Sequence, residues 1–497
     1  MVNHSAVNHQ EDKLELRKCL GRFLCVLLLC VAGRVSAQTF TVLTSLSSVA
    51  PPGGGGNLVW SPVQGFDGNF YGTAEGGGEI CANNPYATCG VVFKVTPTGT
   101  LTVLHDFCQD ACTDGGAPYS GLILSSKGNF YGTTTQDEVN HGGTIYEITP
   151  AGVVTPLVSL TGTSAEGIPY GSLAYAYGAF YGVTGLGGAS QDGTVYKVTP
   201  GGTLTTLHTF SGSDGEEIGV TGVGLLEGAN GSFYGVTAYG TESSNGCGSI
   251  FEMTPSGVLT TLYGFSNTSA EGCGPIDGLA QAPNGDLYGT TVGGGTANDG
   301  TIFKMTAEGT LTSLYNFCSE SNCADGSEPD AGLILGTDGN FYGTTVYGGV
   351  NDQGAIFQIT PEGAYKVLYS FCSQAGCADG RSSYSRLIQA TDGNFYGTTS
   401  DDGGGNNGGT FFKLSMGLAP FVETIPASAK VGAQVELLGT DLTGATSVSF
   451  NGTAAVFKVQ GPTLMVATVP TGATAGKVRV STPGGALVSN VAFRVSP

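Results

Sequence analysis

Asp338-Gly339-Asn340-Phe341-Tyr342-Gly343-Thr344-Thr345 is one of seven versions of a single phrase. Its core returns as Phe70-Tyr71-Gly72, Phe130-Tyr131-Gly132, Phe180-Tyr181-Gly182, Phe233-Tyr234-Gly235, Leu287-Tyr288-Gly289 and Phe395-Tyr396-Gly397. The tyrosines are 60, 50, 53, 54, 54 and 54 residues apart, a period that marks a repeat architecture. Each repeat holds four short runs of Ile, Val, Phe, Tyr and Thr bounded by Gly, Asp, Asn and Pro, which read as strands. They are labelled a (Gly-Leu-Ile), b (Phe-Tyr-Gly), c (Thr-Ile-Phe-Lys) and d (Leu-Thr-x-Leu). Asp-Gly between a and b predicts a tight hairpin with both central residues at positive φ. Thr-Pro-x-Gly, as at Thr96-Pro97-Thr98-Gly99, joins c to d.

Four antiparallel strands repeated seven times predict an all-β fold, a seven-bladed β-propeller over residues 38–416. The chain enters on a d-type strand, Phe40 to Leu46, and the last repeat ends on a c-type strand, Thr410 to Leu414. The first strand is therefore expected to complete the last blade; an open array of sheets would instead leave exposed edges. The innermost strand of the first repeat reads as Leu58-Val59-Trp60.

From Pro420 the aromatic-glycine punctuation stops and short alternating strands follow, which predicts a small immunoglobulin-like sandwich over residues 420–497. At the other end, Arg17, Lys18 and Arg22 precede an apolar run from Phe23 to Ala32, then Val35-Ser36-Ala37. Residues 1–37 thus read as a secretory signal, too short to span a bilayer.

The formal net charge of −21 argues against nucleic acid or an anionic membrane as partner. An extracellular carbohydrate or protein remains as the expected partner, and no other stretch is apolar enough to cross a membrane. Beyond the signal, ten cysteines propose five local disulfides: Cys81–Cys89, Cys108–Cys112, Cys247–Cys273, Cys318–Cys323 and Cys372–Cys377. Too few histidines accompany the thiols for zinc.

Two resemblances add to this. Residues such as Gly439-Thr440-Asp441-Leu442, Val448-Ser449-Phe450-Asn451-Gly452 and Ser481-Thr482-Pro483-Gly484-Gly485 resemble an IPT/TIG domain, a spacer or interaction module in many proteins. The repeats, through Asp338 to Thr345, Gly348-Gly349, Gly354-Ala355-Ile356-Phe357 and Thr360-Pro361, resemble the GloVer tandem repeat of exported bacterial proteins. That resemblance implies export and often a C-terminal anchor, and it brings no established activity. The end at Pro497, with no apolar tail, does not support an anchor.

A catalytic site should break the repeat symmetry. His105 and His208 share one position of strand d and are expected to be packing residues. His141, in a b–c loop beside Asp137 and Glu138, is the other base or ligand candidate. Near the inner strands only Glu227 stands out as a carboxylate, and no paired carboxylates, nucleophile elbow or phosphate loop is nominated. The d–a loops carry Asp114, Asp214, Asp325, Asp330 and Asp379, weak Ca²⁺ candidates; no other cofactor is expected. Tyr86, Tyr119, Tyr170, Tyr239, Tyr347 and Tyr384 on loops of the same face could stack on sugars. The expectation is a non-catalytic binding or scaffold protein whose ligand face is the b–c and d–a loops. A polysaccharide- or lactone-acting enzyme and a structural surface component are the alternatives.

Overall fold

The computed structural model describes residues 38–47, 60–78, 89–108, 112–136, 142–161, 167–218, 224–240, 246–266, 271–402 and 408–496. The signal segment, Cys81, Tyr86 and His141 lie outside these. The fold is all-β. Seven antiparallel sheets come from the repeats, five of four strands and two of five. Thr39–Ser45 pairs antiparallel with Thr410–Ser415, so the first strand is the fourth of the last sheet.

The tripeptide is explained by what crosses it. Strand b pairs with strand c so that the glycine faces an aromatic: Gly72 with Phe93, Gly343 with Phe357. A Cβ on Gly72 or Gly343 would lie 2.5 Å from the end of that ring, so the ring occupies the space any side chain would need. The Phe and Tyr of the tripeptide pack on neighbouring sheets. Tyr71 lies 4.1 Å from Phe130, Tyr342 4.1 Å from Phe395, and Tyr396 4.2 Å from Phe70, centroid to centroid. Seven apolar clusters each join two consecutive sheets, and the one holding Phe70, Val91, Tyr396 and Phe411 joins the last sheet to the first. The sheets therefore close into a propeller-like ring.

The a–b turn differs from the tight hairpin expected. Gly339 alone takes positive φ (84°), and its N–H donates to Gly336 O. This is a longer loop ending in a left-handed glycine, and Asp338 keeps an ordinary backbone. Its carboxylate instead accepts from Asn340 N, Asn340 Nδ2 (2.7 Å) and Tyr342 Oη (2.8 Å). Asp67 and Asp392 do the same, which accounts for the spelling Asp-Gly-Asn-Phe-Tyr-Gly. The innermost strand of the first repeat is Val63–Gln64, in register with Tyr71 and Phe70. Of the expected Leu58-Val59-Trp60, Leu58 and Val59 lie outside the described residues; the inner strand falls after Pro62, where Val63-Gln64 forms no hydrophobic run.

After Pro420 two further four-stranded antiparallel sheets share one core built on Val435, Leu437, Val448, Phe450, Met465 and Val480.

Candidate functional site

Seven inner strands converging on one axis leave little room for side chains. Two residues before the partner of each Phe-Tyr-Gly tyrosine stand Ser61, Gly121, Ser172, Gly224, Gly278, Gly332 and Arg386. A Cβ on Gly224 would fall 1.8 Å from Ser172 O, so there the backbones of adjacent inner strands nearly touch. Arg386 breaks the series. Its guanidinium donates to the carbonyls of Leu333 (Nε, 2.9 Å) and Leu279 (Nη2, 3.5 Å), reaching across two neighbouring sheets.

Asymmetry continues above it. Asp277 is 2 % exposed and accepts from the N–H groups of Gly278 and Gly332. Burial pushes its carboxyl up to about 6 against the pull of Arg386 and both N–H groups. Asp330, one step further out on the next sheet, is pushed up to about 7 by burial and by the negative charges of Glu328 and Asp277. Near Tyr119 burial pushes Glu75 up to about 7. Beside it an aromatic arc runs from Trp60 to Tyr119 (4.6 Å between centroids) to Tyr170 (5.2 Å), with Trp60 Nε1 anchored on Pro118 O. Tyr384 faces Asp330 and shares a hydrogen bond with Tyr347; burial raises its phenol. Tyr347 and Tyr239 are 43 % and 50 % exposed.

The sequence reading missed Asp277, Glu75 and Arg386 and treated Asp330 as one loop acid among several. Asp277 and Arg386 could have been found as the members of their aligned positions that are neither small nor apolar. Glu227, which did stand out, is engaged elsewhere: Arg494 of the C-terminal segment donates to it and to Gly228 O (3.0 Å).

The other loop acids are local. Asp114 accepts from His105 Nε2 (2.7 Å) and Cys108 N, and Asp214 from His208 Nε2 (2.8 Å) and Ser211 N. Asp325 accepts from Tyr315 Oη, Ser319 N, Ser319 Oγ and Glu320 N. Asp379 accepts from Tyr369 Oη, Ser373 N and Gln374 N. Each ties its own strand d to the following loop, so their oxygens serve protein donors. His105 and His208 are thereby hydrogen-bond partners as well as packing residues, each edge-on to a phenylalanine. Disulfides Cys108–Cys112, Cys247–Cys273, Cys318–Cys323 and Cys372–Cys377 staple the same loops, and Cys89 is also disulfide-bonded.

The b–c and d–a loops lie at one end of the ring, joined by backbone bridges such as Ser327 with Tyr347 and Arg381 with Asp401. The opposite end, formed by the a–b turns, carries the C-terminal segment. Thr463 Oγ1 donates to Phe66 O (2.6 Å), Phe421 N to Thr391 O (3.0 Å), and Thr440 meets Thr391. On the axis between ring and segment is a cavity of about 480 Å³, lined by inner-strand residues with Glu423 and Asn490 as its floor.

The Gloeobacter/Verrucomicrobia repeat matches residues 34–224 and 221–456. The chain belongs to that family. No curated protein matches it. Among solved structures it is similar to a luciferin-regenerating enzyme (12 % identity, TM-score 0.38, 61 % of this chain and 93 % of that one). It is also similar to a Bacteroides fragilis protein provisionally named a 6-phosphogluconolactonase (16 %, 0.43, 65 % and 86 %). A third is a Bacteroides thetaiotaomicron protein of unknown function (15 %, 0.39, 76 % and 76 %). Among the described residues of the repeat protein no helix is long and apolar enough to cross a membrane, and its disulfides are consistent with an extracellular setting.

Proposed function

We propose that this repeat protein is exported by residues 1–37 and folds as a seven-bladed propeller followed by an IPT/TIG-type sandwich. Its b–c and d–a loop face binds carbohydrate. The observation that supports this best is the mouth of the axis: the arc Trp60–Tyr119–Tyr170 lies beside the half-buried carboxyl of Glu75, and Tyr384, with Tyr347, lies beside that of Asp330. Aromatic faces take the apolar face of a sugar ring, and carboxyls pair with its hydroxyls. The C-terminal segment covers the other end and leaves this face as the approach.

Retention of the full chain on insoluble polysaccharides tests the reading. Tyr119→Ala and Tyr170→Ala should each weaken retention about 5- to 30-fold, as loss of ~1–2 kcal/mol at a stacking contact implies. Retention unchanged in both variants removes the arc from the site.

A hydrolytic reading is favoured by one observation, the pair Asp277 and Asp330 with Arg386, which breaks the repeat symmetry. A carboxyl that titrates at about 7 is suited to general-acid work. Sugar released by the wild type and not by Asp330→Asn, with retention equal, would make the face catalytic.

A further inference from the structure

We propose that Cys89, Cys108 and Cys112 form a thiol–disulfide exchange site beside the aromatic arc, with a second pairing, Cys89–Cys108, that releases Cys112. Their Sγ atoms all lie within 4.8 Å of one another. Cys108 and Cys112 are bonded to each other, and Cys89 is disulfide-bonded to a cysteine outside the described residues. Two disulfides therefore meet in one enclosed place, where Cys89 is fully buried and Cys112 is 4 % exposed.

The repeats show that the second pairing fits the backbone. In four sheets the residue before the glycine that opens strand c accepts from the d–a loop: Cys89 O from Ala117 N, Cys247 O from Gly274 N, Asp299 O from Glu328 N and Gln353 O from Ser382 N. Cys89 thus holds the place of Cys247. Gly116 holds the place of Cys273, since each bridges to the segment after the next strand b, Gly116 to Gln136 and Cys273 to Gly293. Cys247 and Cys273 are bonded. Gly116 has no sulfur, and Cys108 Sγ fills that space: a Cβ on Gly116 would lie 3.1 Å from it and 3.6 Å from Cys89 Cβ. Cys108 therefore presents its sulfur to Cys89 from the place that Cys273 occupies beside Cys247. The loops of Cys318–Cys323 and Cys372–Cys377 meet Asp299 and Gln353 there, which have no sulfur to exchange.

The electrons balance in two steps. A small dithiol opens the bond of Cys89 and leaves as its cyclic disulfide. The Cys89 thiolate then attacks Cys108 Sγ, the Cys108–Cys112 bond breaks, and Cys112 departs as a thiolate that takes up a proton. Cys112 no longer staples the loop that runs on through Gly115, whose N–H donates to Cys112 O, to Pro118, whose carbonyl holds Trp60 Nε1. The redox state of the site thereby acts on Trp60 and Tyr119; its effect on a ligand rests on the carbohydrate reading of the loop face.

Peptide mapping of the full chain carrying Cys81→Ser tests the exchange. The substitution removes the cysteine that the sequence pairs with Cys89, so no reductant is needed. N-Ethylmaleimide under native conditions should label Cys112, and the map should contain Cys89–Cys108. Absence of label on Cys112, whether it falls on Cys89 or nowhere, overturns the proposal. Wild-type protein opened with equimolar dithiothreitol should give the same map, which keeps the test decisive if the variant fails to fold. Trp60 is the chain's single tryptophan, so its emission reports on the arc. Emission should shift in Cys81→Ser and return to the wild-type position when Cys89→Ser is added; emission unmoved in Cys81→Ser overturns the coupling to the arc. Neither readout uses a sugar, so failure of carbohydrate binding leaves both results standing.

Discussion

Tyr146 and Tyr196 should each make the protein more stable when replaced by phenylalanine. Both lie in the middle of strand c, across from the glycine of Phe-Tyr-Gly. In the other five sheets that position holds Phe93, Phe251, Phe303, Phe357 and Phe412, each fully buried. The two tyrosines are as deeply buried, and their hydroxyls have no hydrogen-bond partner. Each hydroxyl points at its glycine: a Cβ on Gly132 would be 2.6 Å from Tyr146 Oη, and one on Gly182 2.3 Å from Tyr196 Oη. Burial raises both phenol pKa values far above the usual range, the electrostatic face of the same isolation. A buried hydroxyl without a partner costs roughly 1–3 kcal/mol, while the ring's packing survives the change to Phe. Each single variant should gain about 1–3 kcal/mol and the pair about 2–6, since the residues sit in separate core clusters and should add. The assay is equilibrium urea unfolding with the slope compared between variants, so that a shifted midpoint means stability. A lower midpoint for either single variant refutes the reasoning, because it means the hydroxyl has a partner worth keeping.

Three further outcomes are expected. Asp330 binds its proton more tightly folded (about 7) than unfolded (about 3.9), so it contributes stability at low pH that is lost as pH rises from about 4 to about 7. Asp330→Asn should therefore be near neutral at pH 4 and stabilising by roughly 1–3 kcal/mol at pH 8 in thermal melts; equal effects at both pH values would contradict it. Arg494→Ala unties the C-terminal segment from Glu227 and Gly228, and limited proteolysis between 416 and 420 should speed up severalfold, with an unchanged rate counting against the latch. Removing Cys247–Cys273, with a separation of 26 residues, should cost about 3–4 kcal/mol, against about 2 kcal/mol for Cys318–Cys323, with its separation of 5. Urea midpoints in the reverse order would refute that ranking.

Much of this was legible in the chain because the repeat is a local code. Turn residues, alternating strands and the glycine under each strand-c ring act within about 30 residues, so Asp338, Gly339 and Gly343 announce their roles by position. The last-to-first pairing of Thr39–Ser45 with Thr410–Ser415 was also readable, since a d strand without its sheet and a sheet without its d strand stood at opposite ends. The first inner strand was misplaced because Pro62 and Gln64 obey the ring's geometry rather than a hydrophobic pattern.

The sequence by itself determined the all-β class, the strand order within each sheet and the local cysteine pairs of the loops, because most of those interactions join residues close along the chain. Only the tertiary structure decided which residues meet on the axis. Asp277, Asp330 and Arg386 come from three separate stretches of the repeats. Ring closure turns them inward, and desolvation there, which no local pattern encodes, gives the carboxyls of Asp277 and Asp330 the character of a site.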